Sequence, residues 1–449
     1  MLRRTRRAFC GMGDVTTVMK LARISWRNLL YLPLHRKCIG LLVVCAFAHQ
    51  AGAQQPFSWD QIREKFKQTN PTLLADQVNI DESRAEEITA FLRPNPDLSF
   101  SLDQFTVFAT PNTPYRPLSG VLEAGSFSYL HERQHKRELR LESAKKNTNI
   151  VTSTHADLER TLLFTLRNAF VQALQAKAFF EIAKENLAYW DKEIQINTDR
   201  YKAGDLAKVD LTRITLQRAQ FQADYVNSQV NLRTAKIALL TLLNDRTPVE
   251  RFDVTGPYDF QEHLASLEEF RQIAMDTRPD LKAAVEAVDK ARTDNKLAIA
   301  NGTSDPTFGF DIGRNPPLPS YIGFNVSLPL RIFDKNQGEK LRTKLDIDRA
   351  DKSRKASEAQ VLSDVDTAHA TVASTIDLLK PYKQDYIPQA SEVREIVTFA
   401  YQRGGASLID FLDAQKQYRD IQLSYVNLVG SYLAAASQLN LAVGREVIQ

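Results

Sequence analysis

The five residues His131-Glu132-Arg133-Gln134-His135 fit the pattern H-E-x-x-H. In that pattern two histidines one helical turn apart hold zinc, and the glutamate between them acts as general base. The chemistry needs a helix beneath both histidines and a further ligand. No further ligand is evident here, and the segment lies where a strand-like run passes into a helical one. Coincidence is the better reading. His155, His263 and His369 are isolated and read as ordinary helix or loop residues. No Gly-rich phosphate loop, no G-x-S-x-G and no paired acid cluster stands out, so no catalytic residue, cofactor or metal site is expected. Sites for soft metals are built from Met and Cys. Beyond the leader described next, the chain has one methionine, Met275, and no cysteine.

Residues 1–53 read as an export signal. Arg36 and Lys37 precede the short apolar run Cys38 to Ala48, and Ala51-Gly52-Ala53 fits a small-x-small cleavage site that leaves Gln54 as the mature start. Met12 or Met19 as the translation start would give a more usual leader length. Cys45 is a weak candidate for lipidation, because Val44 before it is bulky. The leader holds nine Lys or Arg and one acid, Asp14, so the net charge falls from +4 for the full chain to 4 − 8 = −4 for the mature one. The basic balance therefore belongs to the leader, and nucleic-acid binding loses its electrostatic support. The composition, 43% hydrophobic and 25% charged, is that of a folded, water-contacting protein. No apolar run reaches the ~18 residues of a transmembrane helix.

The mature chain repeats itself at an offset of 200 residues. Tyr201-Lys-Ala-Gly204 matches Tyr401-Gln-Arg-Gly404, Asp210 matches Asp410, and Tyr225-Val226-Asn227 matches Tyr425-Val426-Asn427. The reading is a duplication, residues 54–256 and 257–449. Each half holds a pair of extended segments, a very long helix, a glycine turn (201–210 and 401–410) and a shorter return helix. The long stretches run from about Glu132 to Tyr201 and from about Gln337 to Tyr401. Apolar or small residues recur in alternating steps of four and three, as at Leu158, Leu162, Thr165, Ala169, Gln172 and Ala176. That spacing belongs to helices packed at shallow angles. Pro381 and Pro388 predict a bend or break in the second long helix.

The extended segments, about 97–108, 120–130, 306–313 and 321–331, alternate with period two. Phe100 and Leu102, Phe308 and Phe310, and Phe324 and Val326 fall on the apolar face, opposite small polar residues. The pattern alone suits a half-buried hairpin of a soluble domain equally well. Strand length, a small polar opposite face and the export signal favour membrane strands whose apolar face meets lipid. Four strands cannot close a spanning barrel, and open edges in lipid are forbidden. Several chains must then share one barrel.

Asn70-Pro71-Thr-Leu73-Leu74-Ala75, Pro94-Asn95-Pro96-Asp97-Leu98 and Leu328-Pro329-Leu330-Arg-Ile-Phe333-Asp334-Lys335-Asn336-Gln337-Gly338 resemble segments of the TolC family of outer-membrane efflux channels. The last is most similar to the cobalt-zinc-cadmium resistance branch. The tips Tyr201-x-x-Gly204 and Tyr401-x-x-Gly404, each with Asp six residues on, match the family's helical hairpins. The resemblance covers about Phe57 to Gly444. Where the branch usually has a Gly-Gly-Lys-Arg-like stretch after its second strand, this chain has Leu130 to Arg137.

The resemblance implies a mainly α fold with a small membrane β part. It implies a homotrimer with a shared twelve-stranded β-barrel and a periplasmic α-barrel, docked to a periplasmic adaptor and a proton-driven inner-membrane pump. The chain would be a passive conduit for metal ions or small toxic compounds. Gly204, Asp205, Leu206, Gly404, Gly405 and Leu408 are the candidate docking residues. Asp210 and Asp410, with Asp205, would present carboxylates at the pore mouth or cap helices, and capping is favoured. Two other readings stand beside this one. An exported coiled-coil scaffold leaves the strands unexplained, and a zinc metallopeptidase rests on five residues.

Overall fold

The computed structural model describes residues 56–105, 121–315 and 318–448. The expected leader, the loop Thr110–Pro117 and Pro316–Pro317 lie outside the described residues. What is described is mostly helical, with one four-stranded antiparallel sheet.

The element order is stated twice. The first pass is α1 (Trp59–Thr69), α2 (Pro71–Phe91), β1 (Asp97–Asp103), β2 (Leu122–Leu130), α3 (Lys136–Ala203) and α4 (Lys208–Leu242). The second is α5 (Leu267–Thr277), α6 (Pro279–Asn301), β3 (Thr307–Arg314), β4 (Tyr321–Ser327), α7 (Gln337–Pro381), a π turn (Tyr382–Tyr386), α8 (Ile387–Gln402) and α9 (Leu408–Val443). The helices before each strand pair are additions to the sequence reading. Their starts are nonetheless written locally. Ser58 and Gln61 form a capping box on α1. Asn70 caps α2 through the Leu73 N–H, with Pro71 at the first helical position, where its missing N–H costs nothing. Ser266 caps α5, and Pro279 opens α6.

At ~1.5 Å per residue, the 68 residues of α3 extend about 100 Å. Its counterpart in the second half is not interrupted by a loop. Pro381 ends α7 directly into the π turn, Pro388 lies in the first turn of α8, and the capping residues between them keep helical dihedrals. The wider turn makes room for the proline rings and the helical hydrogen bonds that proline cannot donate, so the expected break becomes a π bulge within a continuous helical path.

Each half has its own apolar core near the middle of the long helices. Ile62, Phe66, Leu166, Phe170, Leu239, Leu243, Phe252 and Val254 form the first. The second gathers Phe270, Leu281, Val361, Val365, Val372, Ile376, Tyr432 and Leu439. The halves meet where α3 packs on α6 and on α9, and where β2 pairs with β3. The sheet runs β1-β2-β3-β4, so the two hairpins join through β2 and β3, and the outer edges of β1 and β4 have no partner strand among the described residues. Strand β4 stops at Ser327 rather than 331. Pro329 has no N–H for a ladder, which accounts for the early end.

Candidate functional site: the helical tips and the strand face

Both hairpin tips close in the same way. Gly204 and Gly404 have φ of +89° and +76°, left-handed values that cost a side-chain-bearing residue energy. At the first tip the Gly204 N–H donates to the Tyr201 carbonyl (3.1 Å) and the Asp205 N–H to that of Arg200 (2.9 Å). At the second, Gly404 donates to Tyr401 (3.1 Å) and Gly405 to Ala400 (2.8 Å). These paired bonds are a Schellman motif and satisfy the last carbonyls of each long helix. The return helices start differently. Ser407 and Asp410 form a capping box, with the Asp410 carboxylate accepting from the Ser407 N–H (3.1 Å) and hydroxyl (2.7 Å). The Ser407 hydroxyl and N–H hold the Asp410 carboxyl below the ordinary carboxylate range. Ala207 gives α4 no side-chain cap, and Asp210 lies in its first turn, 3.7 Å from Arg213.

The tips are joined by a third apolar cluster of Trp190, Ile214, Phe221, Tyr401, Leu408 and Phe411. Trp190 stacks on Phe221 at 5.1 Å and meets Phe411 edge-on at 6.0 Å. Tyr401 stacks on Phe411 at 4.7 Å, and its hydroxyl donates to the fully buried Asn197 at 3.0 Å. Here the expectation for Leu408 is corrected: it is buried in this cluster, not an exposed docking contact. The capping box turns position 408 inward, against Tyr401 and Phe411, and leaves its neighbour Ile409 exposed. Leu206 is half-buried, and Gly204, Asp205, Gly404 and Gly405 are exposed.

Polar groups are threaded through the same packing. Glu193 is almost wholly buried. Desolvation pushes its carboxyl above the ordinary glutamate range, against the opposing pull of Tyr189, Arg200 and Asn197. From the other hairpin, the Gln415 amide donates to the Tyr189 hydroxyl (2.9 Å) and to Thr398 (3.0 Å). The sequence reading missed Glu193, Asn197 and Gln415. Each sits among polar residues in a long helix, where nothing in the spacing marks a buried face.

The strand register places Leu98, Phe127, Phe310 and Phe324 in one cross-sheet row, Phe100, Gly125, Ile312 and Ile322 in the next, and Tyr129, Phe308 and Val326 in a third. Phe100 and Phe324 are 81% and 84% exposed, so this face is covered by nothing among the described residues. Gly125 leaves room for the Phe100 ring, which would stand 3.3 Å from an added Cβ. The other face carries Ser99, Ser126 and Asp311 in one row and Ser128, Gly309 and Asn325 in another. Leu102 begins a row that continues through Glu123 and Arg314, so the apolar face ends in charge at the loop side.

The H-E-x-x-H segment has no shared helical face. Gln134 and His135 have φ of +59° and +54°, and α3 begins only at Lys136. Glu132 is held by Arg140 (2.9 Å), and His131 packs against Phe308. Among the described residues no group of three or more His, Cys, Asp or Glu is placed to hold a metal ion.

Residues 271–445 match the family described as outer membrane efflux protein. The cobalt-zinc-cadmium resistance protein CzcC of Cupriavidus metallidurans is 21% identical over 384 residues, 84% of this chain and 87% of that protein. The outer membrane protein TolC of Vibrio cholerae is 21% identical over 426 residues, 91% of this chain and 95% of its own length. The solved structure of CusC, described in terms of folding and transmembrane channel formation, superposes with a TM-score of 0.72 at 15% identity, over 86% of this chain and 92% of that one. In its second half the chain is similar to the outer membrane efflux protein family, and it shares the fold of the CusC structure over 86% of its length.

Proposed function

We propose that this chain is the outer-membrane channel subunit of a tripartite efflux system, a passive conduit that contributes four strands to a shared barrel and two helical hairpins to a periplasmic tunnel. The observation that carries the reading is the joining, on one chain, of an uncovered apolar sheet face with open edges to helices about 100 Å long. Bilayer hydrocarbon is the medium in which such a face is stable, and a closed barrel is the only sheet that lipid tolerates. Phe100, Leu102, Phe308, Phe310, Phe324 and Val326 then face lipid.

The assembly is a homotrimer. The exposed residues Val209, Leu216, Ala223, Val230 and Ile237 recur every seven positions along α4. A strict period of seven is a coiled-coil seam, and a neighbouring subunit is its natural partner. The tips, 201–210 and 401–410, face the periplasm and dock an adaptor that leads to a proton-driven pump. Leu206 and Ile409 supply the apolar contacts there. The likeness to CzcC makes cobalt, zinc and cadmium the first cargoes to test.

Deletion of the gene should raise cellular accumulation of the cargo, and wild-type protein should restore efflux. The mature chain should fractionate with outer membranes, lack residues 1–53 on N-terminal sequencing, and run as a trimer in mild detergent. Recovery as a soluble periplasmic monomer would overturn the channel reading in favour of the coiled-coil scaffold.

A further inference from the structure

We propose that the cleft at the junction of β2 and α3 binds the phosphate headgroup of an anionic phospholipid in the periplasmic leaflet. The proposal rests on the reading of the sheet as a membrane barrel and adds a ligand site to it. The cleft, about 510 Å³, is lined by Arg93, Tyr129, His131, Arg133, His135 and Arg137, together with two glutamates. Tyr129 belongs to the last apolar row of the sheet, and His131 follows it two residues on, held by a bond from its N–H to the Pro306 carbonyl (2.9 Å). A strand rises ~3.3 Å per residue, so the cleft opens within about one headgroup layer of the apolar face.

The charges around it are uneven. Glu132 is engaged by Arg140, and Glu138 accepts from Arg137 at 3.0 Å. Asp305 takes Lys136 at 2.5 Å and the Arg133 backbone N–H at 2.9 Å. Among the described residues the guanidiniums of Arg93 and Arg133 have no carboxylate within ion-pair distance, and both side chains are exposed. Arginine stays charged at every physiological pH, and its planar fork matches the oxygens of a phosphate.

Apolar groups flank this positive charge. Phe91 and Leu92 are 44% and 60% exposed, and Arg137 lies over the Phe91 ring at 4.3 Å. Exposed apolar side chains beside unpaired arginines, next to a lipid-facing sheet, are what an acyl chain and its phosphate would meet together. A free anion has no use for the apolar half. The paired positive φ values at Gln134 and His135 turn the chain so that Arg133 and Arg137 reach the same cleft.

The test uses full-length protein expressed with its leader, purified as the assembled oligomer and placed in nanodiscs of equal parts phosphatidylcholine and phosphatidylglycerol. Lipid retained after exchange into mild detergent is measured by mass spectrometry. Wild type should retain phosphatidylglycerol selectively. Arg93→Gln with Arg133→Gln should lower that retention about tenfold, equivalent to ~1.4 kcal/mol, while R93K/R133K keeps most of it and R292Q, at the exposed Arg292–Asp289 pair, changes nothing. Equal retention by the R93Q/R133Q variant overturns the site. Release of the lipid by excess inorganic phosphate would show a free-anion site and overturn the lipid assignment. Failure of wild type to fractionate with membranes would instead refute the barrel reading.

Discussion

Gly404 and Glu193 constrain the helical hairpins in different ways. Gly404 holds φ +76° with nothing near an added Cβ, so substitution there is a backbone effect alone. Gly404→Leu should cost ~1–2 kcal/mol and loosen the second tip, lowering efflux while membrane insertion and oligomer mass stay unchanged. Equal loss of insertion would mean that the tip governs folding rather than docking. Glu193 acts through charge. It faces Tyr189, Asn197 and Arg200 on α3, with Thr398, Tyr401 and Arg394 of α8 and Gln415 of α9 close by. Its folded value is raised, so the native state holds the proton more tightly than the unfolded chain. The stabilisation is full below the ordinary glutamate value of ~4.3 and is lost as pH rises through the raised folded value. Hydrogen exchange of tip amides, corrected for intrinsic rates, should therefore quicken from acid to neutral pH in wild type. In Glu193→Gln it should be nearly flat, and an unchanged slope in that variant would remove Glu193 as the cause.

The elements show why some of this was legible in the chain and some was not. The strands were, because a period of two survives any partner. Phe310 and Phe324 face each other across β3 and β4 with rings 5.4 Å apart, as the alternation required. The tips were legible too, because glycine's freedom at positive φ leaves few alternatives. Leu408 was not: Leu206 and Leu408 lie near the two glycines, but only 408 is turned into the tip cluster by the Ser407 cap. The repeats also diverge in environment. Tyr201 is 40% exposed and Tyr401 only 5%, because Tyr401 lies in the cluster with Trp190, Leu408 and Phe411 and Tyr201 does not. Sequence spacing is blind to which copy lies inside. The strand faces carry their own prediction. Phe324→Arg should impair insertion by ~2–4 kcal/mol, and Asn325→Arg, one residue on and facing Asp311 and Gly309, should insert and alter conductance. Insertion into liposomes followed by single-channel recording distinguishes them, and equal defects would mean a soluble sheet.

At the scale of the whole molecule the same asymmetry sets how copies would join in the proposed trimer. The sheet offers β1 on one edge and β4 on the other. The helices offer the α4 stripe on one side and, on the other, α8 with exposed Val393, Ile396 and Phe399. Different surfaces at the two ends of one unit make a head-to-tail contact, which closes only as a ring. Leu216 lies twelve residues after Gly204, and Val393 lies eleven before Gly404. Since α4 begins at Lys208 and α8 ends at Gln402, the two side chains stand at similar heights above the tip ends of their helices, ~12–14 Å. Leu216 is 67% exposed and Val393 47%, and residues 54–449 contain no native cysteine to confuse a crosslink. Under mild oxidation, Leu216→Cys with Val393→Cys should therefore give covalent dimers and trimers on a non-reducing gel, and either single variant should remain a monomer there. Leu216→Asp with Val230→Asp, both on the exposed stripe, should leave the subunit's helical content intact while removing the trimer from size exclusion with light scattering. A trimer that survives both aspartates, with no crosslink between 216 and 393, would place the subunit seam on another face of the tunnel.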